Sequence, residues 1–80
     1  MFFSLMDFSS VNVKKSNNSP TLTSGPGELN GTTMQVKGAN TLTIGQSYYL
    51  ECTGPRKMYE GMFTGTSPVD GAWLVFQPVS

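Results

Sequence analysis

Cys52 is the one cysteine of the chain, and its thiol would need a neighbouring base or a cationic surrounding to become a nucleophile. No histidine stands anywhere in the 80 residues, and no cluster of cations adjoins position 52. Cys52 is therefore expected to pack as a small hydrophobe. One cysteine allows no internal disulfide, and without histidine the usual zinc ligand sets cannot be assembled, so neither a metal nor a cofactor is expected. Glu51 and Glu60 are the remaining residues with acid–base potential. They could face each other across two antiparallel strands, but like charges directly opposite repel, and solvated positions are the simpler expectation. Gly25, Gly27 and Gly31 form no phosphate loop, since no Lys-Ser/Thr follows them. The reading is of a non-enzymatic chain with no small-molecule substrate.

Binding chemistry is carried by different residues. Arg56 and Lys57 follow the turn signature Thr53-Gly54-Pro55, Tyr59 stands two residues on, and Trp73 lies in an apolar run. Cations next to aromatic platforms suit single-stranded nucleic acid, whose bases stack on aromatic rings. Five basic and five acidic residues cancel, however, and charged residues make up only 12% of the chain, about half the usual share. A neutral surface of this kind excludes the broad basic footprint that duplex binding requires.

These residues have to be positioned by short elements. Nine Gly, five Pro and many Ser, Thr and Asn cut the sequence into apolar pieces too short for ordinary helices. Val11-Asn12-Val13-Lys14 alternates as a strand does, with a short helix over residues 2–8 as the alternative for the N-terminal part. Residues 16–31, rich in Ser, Asn, Pro, Thr and Gly, read as a long loop or a partly extended segment. Residues 33–37 and 41–44 read as two strands of a hairpin turning at Gly38-Ala39-Asn40. Residues 47–53 form the clearest strand, with Tyr48, Leu50 and Cys52 on one face and Glu51 marking the wet one. Residues 58–64 form another, with Tyr59, Gly61 and Phe63 sharing a face, and Asp70-Gly71 is a turn signature. Residues 72–78 form the last strand, whose run Ala72-Trp73-Leu74-Val75-Phe76 is apolar on both faces. Coverage from both sides is implied: the barrel interior takes Leu74 and Phe76 while a neighbouring subunit or the N-terminal segment covers Trp73 and Val75, or the reverse. Five or six such strands predict an all-β, strongly bent small barrel of the SH3-like or Sm type, forming one domain over residues 1–80. A chain of this length buries only about 60% of its unfolded surface, so oligomerisation is the expected support.

The stretch 44–76 resembles the first sequence motif of the Sm-like (LSm) family, which includes bacterial Hfq. Gly45, Tyr48, Leu50 and Cys52 match its opening strand, Gly54 its turn, Tyr59, Gly61, Phe63 and Gly65 its aromatic-x-Gly-x-apolar strand, and Trp73-Leu74-Val75-Phe76 three of four positions of the strand after. Two loops are longer than the family's, Trp73 replaces the loop Asn that helps hold a uracil, and the chain ends at Ser80 where the second motif would follow. The N-terminal half is then expected to supply the missing strands. The resemblance implies a ring-forming homo-oligomer that binds single-stranded RNA, with Arg56, Lys57, Tyr59 and Trp73 as candidate contacts and Trp73 and Val75 as the subunit interface. The rival expectation is a structural or assembly protein of viral or phage type that makes only protein–protein contacts. The interrupted apolar run at the N-terminus, with Ser4 and Asp7 inside it and no basic residue before it, does not read as a secretory signal, and no stretch approaches a membrane span. The expected location is the cytoplasm.

Overall fold

The computed structural model describes residues 5–39, 41–67 and 73–79. Six strands make up the fold: β1 (Leu5–Lys14), β2 (Thr21–Asn30), β3 (Thr33–Lys37), β4 (Ser47–Thr53), β5 (Lys57–Thr66) and β6 (Trp73–Pro78). They close into a barrel in the order β1-β2-β3-β6-β5-β4, every pair antiparallel. Two three-stranded meanders, β1 to β3 and β4 to β6, therefore meet along two seams, first strand to first (β1/β4) and third to third (β3/β6).

Alternation fills the interior. Val11 and Val13 from β1, Val36 from β3, Leu50 and Cys52 from β4, Phe63 from β5 and Leu74 and Phe76 from β6 are all buried, and their sequence neighbours point outward. The centre is aromatic: the rings of Phe63 and Phe76 lie 5.5 Å apart and tilted by 51°, and Tyr48 meets Phe76 edge-on at 6.4 Å. Gly61 permits the close crossing of β5 over β6, since a Cβ there would lie 3.0 Å from that of Phe76.

The all-β barrel expected from the strand pattern is present, with three expectations corrected. Residues 16–31 are not a loop throughout, because β2 occupies ten of them. Pro26 is tolerated there for a local reason. The β1/β2 register jumps from Phe8↔Gly27 to Val11↔Gly25, so Pro26 lies opposite a bulge at Ser9 and Ser10, where its missing N–H removes no ladder bond. Residues 41–44 are not a strand and make no hairpin with β3, whose neighbours are β2 and β6. They belong to the connection that carries the chain from β3 across one end of the barrel to β4. The Gly45 N–H donates to the Phe63 carbonyl at 2.8 Å, the Phe63 N–H to the Gln46 carbonyl at 3.0 Å, and the Thr43 N–H to the Tyr48 hydroxyl at 2.9 Å. The alternative of a helix over 2–8 fails for residues 5–8, which are part of β1, while positions 2–4 lie outside the described residues. Leu74 and Phe76 enter the core, and Trp73 and Val75 stand half-buried on the outer side of β6, one of the two arrangements that the doubly apolar run allows. Asn40, Ala72 and the Asp70-Gly71 turn lie outside the described residues.

Antiparallel pairing sorts the connections to two ends. The β2/β3 and β4/β5 turns lie at one, the hairpin end. The β1/β2, β3/β4 and β5/β6 connections lie at the other, the crossover end.

Candidate functional site

The outer face of β4 places one carboxylate among donors. The Asn12 amide donates to Glu51 Oε1 at 3.4 Å, and Lys14 Nζ stands 3.3 Å from Oε1 and 3.4 Å from Oε2. These partners, with the Asn12 hydrogen bond foremost, hold the Glu51 carboxyl below the usual carboxylate range, so it is an anion in an ion pair and a poor proton acceptor. Glu51 and Glu60 are not placed face to face. Glu51 pairs with Met58 and Glu60 with Tyr49, because Cys52↔Lys57 closes the turn and sets the register. Cys52 is fully buried beside Leu50, whose carbonyl lies 3.9 Å from Sγ, and burial pushes the thiol up to about 11. Among the described residues no three of the His, Cys, Asp and Glu side chains come close enough to hold a metal.

The four candidate RNA contacts are not brought together. Arg56 and Lys57 are exposed at the hairpin end. Trp73 begins β6 at the crossover end, where its carbonyl accepts from the Ser67 N–H at 2.8 Å. Along β5 that separation is nine residues, roughly 30 Å of strand. The Trp73 ring already has a cation, since Lys37, its cross-strand partner, holds Nζ 5.9 Å from the ring centroid. Tyr59 is half-buried and turned inward, packing edge-on against Phe8 at 6.2 Å. Val75, on the outer side of β6 with Trp73, is half-buried.

No protein-family model, no curated protein and no solved structure matches this chain. Its own geometry therefore carries the functional reading. Three surface features at the hairpin end emerge only from the fold. An apolar cleft of about 60 Å³, walled by Leu29, Met34, Leu50, Tyr59 and Phe76 with Glu60 at its lip, opens there. Two strand segments there are paired on one side alone among the described residues. Residues 5–8 of β1 pair with β2 but not β4, and residues 57–60 of β5 pair with β4 but not β6. Finally, Asp7 and Glu28 are directly opposed across β1 and β2, both exposed. The signal for this pair was hidden, because finding it requires β2 and its register.

Proposed function

We propose that this chain is a non-enzymatic barrel that works as a homo-oligomer through protein–protein contacts, as a structural or assembly protein does. The observation that carries this reading is the outer side of β6, where Trp73 and Val75 put apolar surface on the outside of a small, neutral barrel. The Sm-like pattern over 44–76 supports the same oligomeric reading, with β4, β5 and β6 adjacent in order. Single-stranded RNA is the second reading. It is supported by Arg56 and Lys57, adjacent and exposed at one end with Tyr59 close by in sequence, and a ring would gather several such pairs on one rim. The separation of Trp73 from those cations, and the pairing of Lys14 with Glu51, favour protein contacts over nucleic acid.

Mass in solution, measured by light scattering across protein concentration, tests the first reading. The expected result is an oligomer that Val75→Lys dissociates without unfolding. A wild-type chain that stays at the mass of one subunit would overturn it. Binding of labelled U-rich or A-rich single strands at low salt, with Arg56→Ala and Lys57→Ala as controls, decides the second. Affinity that both variants abolish supports RNA; no affinity ends that reading.

A further inference from the structure

We infer that two copies of this chain close a two-fold contact through the outer side of β3 and β6, with Trp73 of each copy on Val75 of the other and Lys37 of each beside Glu28 of the other. This names the contact for the homo-oligomer proposed above and rests on that reading.

The register of three adjacent strands arranges these residues in two rows. Alternate positions of β2, β3 and β6 are buried, which leaves Glu28, then Gln35 and Lys37, then Trp73 and Val75 on the outside. Glu28 is directly opposite Gln35, and Gln35 is opposite Val75, so one row runs across β2, β3 and β6. Lys37 opposite Trp73 makes the second row, two residues nearer the crossover end, about 7 Å along the strands. Each row ends in an apolar side chain on β6. The charges are divided between them, with the carboxylate of Glu28 on the first row and the ammonium of Lys37 on the second.

Rows of this composition complement each other, and a two-fold axis brings them together. With the axis running across the strands, midway between the rows, each row of one copy lies over the other row of its mate and the strand order is kept. Val75 then covers Trp73, and Gln35 faces Lys37. Glu28 stands to the side of that Lys37 by one strand spacing, about 5 Å, which its flexible four-carbon stem can span. Such a contact is isologous, so every interaction is made twice and the assembly closes.

The charges of the isolated chain point to the same arrangement. Glu28 directly opposes Asp7 across β1 and β2, both exposed, and like charges so placed repel. Among the described residues the one ion pair is Lys14 with Glu51, so neither Glu28 nor Lys37 has an opposite charge within ion-pair distance in its own chain. Lys37 holds its Nζ 5.9 Å over the Trp73 ring instead. A second copy supplies each of them with its counter-charge and removes the half-buried Trp73 and Val75 from water.

Light scattering should give the mass of two subunits. The emission of Trp73, the one tryptophan of the chain, should move to shorter wavelength as the protein is concentrated. Glu28→Lys and Lys37→Glu, each checked for an unchanged circular-dichroism spectrum, should each raise the dissociation constant at least about tenfold, because each sets like charges together at both symmetric positions. The double variant should recover the wild-type mass, and so should an equal mixture of the two single variants, since opposite charges meet again in both. A wild type that stays at the mass of one subunit overturns both this contact and the oligomeric reading. An oligomer with an odd number of subunits overturns this contact alone. So does an oligomer that neither charge variant weakens, or one that neither the double variant nor the mixture restores.

Discussion

Replacing Gly27 with alanine places a methyl group where the Val11 Cγ2 atom already lies, with Val11 Cβ at 3.4 Å and the Gln35 carbonyl oxygen at 3.5 Å. Gly27 has no positive φ, so alanine can adopt its backbone and strain enters through packing alone. Val11 is fully buried and branched at Cβ, and it cannot rotate away without meeting another wall of the core. Overpacking of this kind costs about 1–3 kcal/mol, offset by about 0.4–1 kcal/mol from the lost freedom of the unfolded chain. A net cost of about 1–2 kcal/mol corresponds to a fall in Tm of roughly 4–16 °C for a domain of this size.

Val11→Ala alone should cost about 2–3 kcal/mol through lost burial and the cavity it leaves. In the double variant the new methyl enters the vacated space. Thermal and urea unfolding of the four proteins should then show a double variant no less stable than Val11→Ala, with a coupling of about 1–2 kcal/mol favouring the pair. Gly25→Ala provides the contrast. Its methyl would strike the backbone carbonyl of Lys37, so trimming Val11 should bring no recovery. A neutral Gly27→Ala, or costs that simply add in the double variant, would refute the packing argument.

Two further outcomes concern pH. The Cys52 thiol titrates near 11 in the folded chain against 9.0 for an ordinary thiol. Stability held below pH 9 should therefore be lost as pH rises between those values, by about 2–3 kcal/mol, and Cys52→Ala should flatten the loss in urea titrations. Conversely, the lowered pKa of Glu51 contributes stability above its ordinary value of 4.5 that disappears as pH falls through the folded value. In acid titrations followed by circular dichroism, Glu51→Gln should remove that part of the dependence, and adding salt should shrink it because the pair is partly exposed.

The half of the chain that follows Gly45 is legible in its sequence because turn residues bound its strands and inward positions recur at every second residue. Tyr48, Leu50 and Cys52, then Gly61 and Phe63, fall on the inner side as their spacing implies. β2 was not legible because Gly25-Pro26-Gly27 carries loop chemistry, and only a bulge in the facing strand makes that chemistry compatible with a sheet. The run Thr41-Leu42-Thr43-Ile44 failed in the opposite direction. Its pattern suits a strand, but a strand needs a neighbour, and both neighbours of β3 come from elsewhere in the chain. Register was the hardest quantity to read. One turn closing at Cys52↔Lys57 separates Glu51 from Glu60, and a hairpin not visible in sequence opposes Asp7 to Glu28. Trp73 shows the remaining ambiguity: an apolar run says that both sides of a strand are greasy, and only the barrel says which side is inside.

The two meanders that meet along β1/β4 and β3/β6 have a consequence for how the chain acquires its structure. Each meander can form from contacts close in sequence, yet neither has a second sheet to bury its apolar side until both seams close. Folding should therefore resemble the docking of two half-barrels, with little stable structure in either half alone and a rate limited by the long-range seams. The connection between β3 and β4 joins the two halves, and its Thr43, Gly45 and Gln46 are hydrogen-bonded to the second of them. A chain cut there, and supplied as two fragments, should regain the barrel on mixing. In one crowded solution, two intact chains have the same means to exchange halves.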